Sequence, residues 1–259
     1  MTSPTRPLAL VTGASSGIGA DLARELAKDG HDLVLSARTV LPMQSLADEL
    51  RGHGANSIVI AADLAKPSAA GELAGEIETR GLQIDVLIAN AGLGGIGRFD
   101  QMDPQRIGDM LMINVVALTE LARLVVPGMV ARHRGKVLLV ASTASFQPGP
   151  RMAVYFASKS YVLSLGEALA YELRHTGVTV TTLCPGATAT NFFKAAGANE
   201  IALQPAMNAS QVAHIGYRAL KAGRRVVITG MLNRILALGG RYAPHSLTLP
   251  ATASLMSRR

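Results

Sequence analysis

Short apolar runs alternate along the chain with longer stretches in which apolar residues return every three or four positions. Leu8–Thr12, Leu33–Ser36, Ser57–Ala61, Ile84–Ala89, Lys136–Ala141, Val178–Leu183 and Arg225–Thr229 have strand length and are rich in Val, Ile and Leu. Gly17–Asp29, with Ile18, Leu22 and Leu26 at helical spacing, then Pro42–Leu50, Ser68–Arg80, Pro104–Arg134, Met152–Thr176 and Ser210–Ala222 are predicted helices. Pro42 falls in a first turn, Ser68 is placed to cap its helix, and Pro127 is expected to kink the long helix. Strands that alternate with helices imply βαβ units. Right-handed crossovers then put helices on both faces of a parallel sheet. The pattern predicts an α/β fold with one doubly wound domain over residues 1–259 and seven parallel strands. Residues 191–208 are Ala-rich and aperiodic and read as a candidate substrate lid. Residues 230–259 form a C-terminal tail with spaced leucines, Arg234 and Arg241.

Composition narrows the class. Of 259 residues, 49% are hydrophobic and 17% charged, enough apolar material for a large core, and no composition shift marks a boundary. One cysteine excludes an internal disulfide and fits a reducing compartment, so a cytoplasmic location is expected. The polar start, Met1 to Pro7, predicts no secretory leader. Val226–Leu238 is too short for a membrane span and contains Asn233 and Arg234. The net charge of +7 is scattered, and without interleaved aromatics it does not favour a nucleic-acid partner. The six histidines lack the spacing of a metal site. Cys184 reads as a small buried residue at a strand end.

One stretch carries chemistry. Tyr155 and Lys159 are four residues apart on a predicted helix and share a face. A free phenol ionises near pH ~10. An adjacent cation lowers that value, and about three pH units need roughly 4 kcal/mol. The fifth strand delivers Ser142, whose hydroxyl could hold a carbonyl oxygen while Tyr155 gives or takes a proton. Such a group interconverts a ketone and an alcohol. A Tyr-x-x-x-Lys pair alone is ordinarily a surface pair, and the site needs a hydride source. Thr12-Gly13-Ala-Ser15-Ser16-Gly17-Ile18-Gly19 joins the first strand to the first helix. Glycines there allow a tight turn and close approach of a pyrophosphate to the helix N-terminus. At the first βα turn, that motif points to a Rossmann dinucleotide fold.

These motifs resemble the short-chain dehydrogenase/reductase family over nearly the whole chain. They come in the family's order: Thr12–Gly19, Asp63, Asn90-Ala91-Gly92, Asn114, Ser142, Tyr155-x-x-x-Lys159 and Pro185-Gly186-x-Thr188. The family often has a second asparagine where this chain has Ala89, a sheet-stabilising position away from the chemistry. The resemblance implies Tyr155 as general acid/base and Lys159 as the group that lowers its pKa and binds the nicotinamide ribose. It implies Ser142 as the substrate hydrogen-bond donor and Asn114 as holder of a relay water. Gly13, Ser15, Ser16, Gly17, Ile18 and Gly19 would cradle the phosphates, and Asp63 and Leu64 would meet the adenine. Asn90, Ala91 and Gly92 would line the cleft, and Pro185, Gly186, Thr188 and Thr190 would hold the carboxamide. Thr143 and Ser145 compete with Ser142, but the family's thirteen-residue separation from the tyrosine selects Ser142. Asn114 also has a structural reading, as a helix residue with an internal hydrogen bond.

An acidic residue after the second strand would bind a ribose 2′-hydroxyl and repel a 2′-phosphate. Ala37 stands there, followed by Arg38, so NADP(H) is expected over NAD(H), although Ser16 occupies a loop position that is basic in many NADP-preferring relatives. A reductive direction follows. Leu93–Gly97, Phe146, Gln147, Pro148, Met152, Phe192 and Phe193 suggest an apolar pocket for a hydrophobic ketone or aldehyde, unless the phenylalanines pack core. In this family the long helices bearing Asn114 and Tyr155 commonly pair, which implies a homodimer or homotetramer. For the tail, a subunit contact is favoured over a membrane-surface contact. The alternatives are an alcohol dehydrogenase running oxidatively and a non-catalytic nucleotide-binding scaffold, which would typically have lost Tyr155 or Lys159.

Overall fold

The computed structural model describes residues 6–192, 196 and 206–257. Seven strands, β1 (Leu8–Thr12), β2 (Asp32–Ala37), β3 (Ser57–Ala61), β4 (Val86–Ala89), β5 (Gly135–Val140), β6 (Val178–Cys184) and β9 (Val226–Ile228), form one sheet in the order β3-β2-β1-β4-β5-β6-β9. Every pairing is parallel, as the alternating pattern predicts. A separate parallel ribbon, β7 (Thr188–Ala189) with β8 (Met207–Asn208), was not legible in the sequence.

Side chains alternate across each strand, so each face takes half of them. Ala9 and Val11 of β1 face α1 (Gly17–Lys28), α2 (Val40–Arg51) and α7 (Ala209–Lys221), where Leu22, Leu26, Met43, Leu46, Val212 and Leu220 are buried. Leu10 faces the other layer, α3 (Ala69–Thr79), α4 (Pro104–Leu111), α5 (Leu118–Ala131) and α6 (Ala153–Glu172), with Leu73, Leu121, Val162 and Leu163. A sheet covered on both faces requires strands that are apolar throughout, which explains their near-continuous Val/Leu/Ile character.

Two local expectations meet a different outcome. Ser68 does not cap α3: its backbone is left-handed at φ 68°, and its hydroxyl donates to Glu72 at 2.7 Å instead of accepting a backbone N–H. The long helix is interrupted by a π turn, Met112–Ala117, well before Pro127, which sits inside α5. The C-terminal tail forms α8 (Met231–Tyr242) and α9 (His245–Ser257). By length and composition alone, Pro104–Ala131 could cross a membrane, with mean hydropathy 1.7 in its most apolar window. Here its inner residues Met110, Ile113, Leu118 and Leu121 are built into the core.

Candidate active site

All seven strands of a parallel sheet end on one edge, and the order turns around at β1, between β2 and β4. Ligands of open α/β sheets bind at such a switch point. A cavity of about 790 Å³ lies there. Its lining includes Gly13, Ser15, Ser16, Gly17, Ile18, Arg38, Asp63, Leu64, Asn90, Ala91, Gly92, Ser142, Tyr155, Lys159, Pro185, Gly186, Thr188 and Thr190. The sequence-derived set therefore converges, with two exceptions, Gly19 and Asn114.

Gly13 and Gly17 have φ of +66° and +58°, a backbone region that only glycine enters without strain. Gly19 stands behind the loop. A Cβ there would collide with the Gly13 carbonyl and the Asn90 amide, so glycine lets α1 close on the β1 turn. Thr12 clips the neighbouring loop: its hydroxyl accepts the Asn90 and Ala91 N–H groups at 3.1 Å each. The Asn90 side chain donates to Thr12 O at 3.0 Å. At the start of α1, Ser16 makes no side-chain cap bond and no acidic residue lies in the first turn. The uncapped amides, with the helix dipole behind them, suit an anion. Beyond β2, Arg38 is exposed and makes no ion pair or hydrogen bond among the described residues, and Ala37 adds no carboxylate. A glycine cradle, uncapped amides and a free guanidinium fit a dinucleotide that carries an extra phosphate.

The other end of the cavity gathers Ser142, Tyr155 and Lys159. Ser142 follows the end of β5 and caps a short 3-10 turn, Thr143–Phe146, by accepting the Ala144 N–H at 3.1 Å. Tyr155 and Lys159 lie one turn apart on α6, both buried. The Ser142 hydroxyl favours ionisation of Tyr155, but burial outweighs it and pushes the phenol up to about 12. Lys159 is buried with it. The ammonium donates to Val140 O at 2.8 Å and stands 5.9 Å from the Tyr155 ring centroid. Burial pulls Lys159 down to about 8. Cys184 is buried at the end of β6, and burial raises its thiol to about 12, the mark of an inert packing residue.

Asn114 lies in the π turn, fully buried, outside the cavity wall. Its Oδ1 accepts the Leu93 N–H at 2.8 Å, and its Nδ2 donates to Leu93 O at 2.9 Å and to Ser158 Oγ at 3.0 Å. Both amide hydrogens are thus committed, to the loop after β4 and to α6, while Oδ1 keeps a second acceptor site. Gly92 separates it from Lys159: a Cβ at Gly92 would be 3.4 Å from both Asn114 Oδ1 and Lys159 Nζ.

The substrate side is apolar, as expected, though not with every residue expected. Leu93, Gly94, Gln147, Met152 and Phe192 line it, with Phe156 in addition. The Phe192 ring is 5.4 Å from the Tyr155 ring. Phe146 packs in the core. Phe193 and most of the candidate lid lie outside the described residues. Sequence reading missed α8. Met231, Leu232, Asn233 and Leu236 line the cavity mouth, and Asn233 rests against Gly186, where a Cβ would collide. Its amide donates to Thr229 O at 2.8 Å. Gln147 ties the tail down: it packs on Gly240 and donates to Thr252 Oγ1 at 3.1 Å. The leucine spacing of the tail was visible, but not the face that turns to the site.

The sequence pattern of the family described as short chain dehydrogenase matches residues 7–201. An "Uncharacterized oxidoreductase" of Myxococcus xanthus is 35% identical over 190 residues, 71% of this chain and 75% of that protein. A very-long-chain 3-oxoacyl-CoA reductase of Pyrenophora tritici-repentis is 37% identical over 182 residues, 68% of this chain and 53% of that protein. Among solved structures, a short-chain dehydrogenase from Sphingobium yanoikuyae in complex with NADPH superposes with TM-score 0.83 at 33% identity, covering 90% of this chain and 92% of that one. A bulky-bulky ketone specific alcohol dehydrogenase from Comamonas testosteroni gives TM-score 0.78 at 32% identity, covering 90% of each chain. The glycine turn, the Ser142/Tyr155/Lys159 cluster and these matches agree, and the chain belongs to the short-chain dehydrogenase/reductase family of nicotinamide-dependent oxidoreductases acting on CH–OH and C=O groups.

Proposed function

We propose that the protein reduces a hydrophobic ketone or aldehyde to its alcohol with NADPH, with Tyr155 as the general acid. One observation carries this reading. A single cavity has Arg38, without an ion pair among the described residues and preceded by Ala37 in place of a carboxylate, at one end, and Tyr155, Ser142 and Lys159 against an apolar wall at the other.

The α1 amides and Gly13–Gly19 turn hold the pyrophosphate, Arg38 the 2′-phosphate, and Asp63 and Leu64 the adenine. Asn90, Ala91 and Gly92 form the cleft wall, and Pro185, Gly186, Thr188 and Thr190 orient the carboxamide. Bound NADPH supplies a hydride to the carbonyl carbon. Ser142 and Tyr155 donate hydrogen bonds to the carbonyl oxygen, and Tyr155 transfers its proton there. A phenol raised by burial is fully protonated at neutral pH, the form that reduction needs. The Lys159 cation stabilises the phenolate left behind. Asn114 is a positioning residue that fixes Leu93 and α6.

Two named relatives support the substrate class, the 3-oxoacyl-CoA reductase and the bulky-ketone alcohol dehydrogenase. Exposed Leu111, Val116, Leu124 and Tyr161 on the α4–α5 and α6 surfaces support a homodimer or homotetramer, to be read by light scattering. The single cysteine supports a cytoplasmic setting.

The test is NADPH consumption over a panel of ketones, aldehydes and β-ketoacyl thioesters, with Tyr155→Phe beside the wild type. Turnover of an apolar carbonyl is expected, with Tyr155→Phe reduced about 10²- to 10⁴-fold while it still binds NADPH. Full activity in Tyr155→Phe would sink the mechanism, and a higher kcat/KM with NADH would sink the cofactor assignment.

A further inference from the structure

Helix α8 is built inside out. Its inward positions are Asn233, Ala237 and Gly240, the last two buried, and all three small or polar. Its large apolar residues face away: Met231 is 71% exposed, Ile235 61%, Leu236 62% and Tyr242 80%, with Leu232 and Leu238 also exposed. At about 100° per residue these positions sweep an arc of about 160°. Ordinary surface helices turn such a stripe toward the core. Helix α9 repeats the pattern more weakly: Thr248 and Thr252 are buried while Leu247 is exposed.

The charges beside this face are of one sign. Arg234 and Arg241 lie two turns apart along one edge of the exposed arc. From residue 201 to the end, the chain has eight Lys and Arg and no Asp or Glu, whereas residues 1–200 hold all 18 acidic side chains. A second copy docking through the same face would bring Arg234 and Arg241 against their own equivalents, with no carboxylate on α8 or α9 to meet them. An exposed apolar arc edged by arginines instead suits the headgroup boundary of an anionic bilayer, where the apolar residues enter the acyl region and the cations meet lipid phosphates. Part of the arc, Met231 with Leu232 and Leu236 at the opposite edge, lines the cavity mouth.

We propose that α8 docks the protein on an anionic membrane surface with the mouth of the catalytic cavity turned to the lipid, so that an apolar carbonyl compound dissolved in the bilayer reaches Tyr155 directly. The docking stands independently of the reaction, and only the delivery of substrate rests on the reductase reading.

The experiment is co-sedimentation of the full chain with vesicles of pure phosphatidylcholine and of phosphatidylcholine with phosphatidylglycerol, in low and high salt, without substrate or NADPH. Binding to the anionic vesicles that weakens with salt is expected, with little binding to phosphatidylcholine alone. Ile235→Glu, at an exposed position outside the cavity lining, should lower partitioning about tenfold or more. Arg234→Ala with Arg241→Ala should remove the preference for anionic lipid. Turnover of a small water-soluble ketone should be unchanged in Ile235→Glu, which shows that the variant is folded. For a long-chain ketone, anionic vesicles should lower KM in the wild type and not in Ile235→Glu. Equal binding to both vesicle types, or binding to neither, overturns the docking. So does an Ile235→Glu variant that binds vesicles normally but dissociates an oligomer, because a second copy then covers the face. Vesicle binding without any carbonyl turnover would leave the docking intact and sink the reductase reading instead.

Discussion

Lys159→Met should make the protein more stable and less active. The ammonium is buried, and burial pulls its pKa from 10.5 down to about 8. Below that pH the folded state holds a charge it disfavours, at a cost of about 3 kcal/mol. Methionine keeps the length and helix preference of the side chain. It loses the hydrogen bond to Val140 O, a net loss of about 1 kcal/mol. The expected gain near neutral pH is therefore about 2 kcal/mol. The sign of the pH dependence follows from the folded pKa lying below the unfolded one. Between about pH 8 and 10.5 the unfolded chain binds more protons, so wild-type stability from this group rises with pH. From about pH 7 to about pH 9 the wild type should recover about 1 kcal/mol relative to the variant. Cys184 and Tyr155 are present in both proteins, and their contributions cancel in the difference. The assay is urea unfolding of the cofactor-free protein by circular dichroism at the two pH values, with midpoints compared at unchanged m. A variant less stable than wild type near pH 7, or a stability gap that does not shrink toward pH 9, would refute the claim that an uncompensated cation sits under the site. NADPH turnover should fall in the same variant, the trade of stability for function common at catalytic sites.

Other outcomes follow from the same geometry. The kcat/KM for carbonyl reduction should decline above about pH 8, as the Lys159 ammonium of the free enzyme loses its proton; a flat profile to pH 10 in steady-state rates would contradict this. Ala37→Asp combined with Arg38→Ala should raise KM for NADPH about tenfold or more and shift preference to NADH, read from kcat/KM with each cofactor. Asn114→Ala leaves the Leu93 N–H and carbonyl and the Ser158 hydroxyl without their partner, so it should cost about 2–3 kcal/mol in chemical unfolding and lower kcat more than it raises KM.

The polar and apolar pattern was enough for the sheet. Runs such as Leu8–Thr12 and Lys136–Ala141 are apolar throughout because both of their faces are covered, and that continuity is visible without coordinates. Motif order then placed Gly13–Gly19 and Ser142 just after strand ends and Tyr155 and Lys159 on the helix that follows Ser142, and in a parallel sheet all those ends share one edge. Local features decided by competition between side chains were less legible. Ser68 looks like a cap, but Glu72 takes its hydroxyl. Pro127 looks like the break in the long helix, but the break is the π turn that carries Asn114, with no proline or glycine to mark it.

What the sequence determined by itself is therefore the strand–helix alternation, the glycine turn after the first strand and the pairing of Tyr155 with Lys159 on one helix, because each depends on residues close in the chain or on a rule that parallel sheets impose. Only the tertiary structure decided the electrostatic state of that pair. Burial, a property of all the surrounding layers, raises Tyr155 and lowers Lys159, opposite to what the two residues facing each other in isolation imply for the phenol. It also decided which way the tail faces. The periodicity of Met231–Tyr242 announces an amphipathic helix in either case. Only the packing of Asn233 on Gly186 and of Gly240 on Gln147 turns its small residues inward and leaves its large ones outside, beside the mouth of the catalytic cavity.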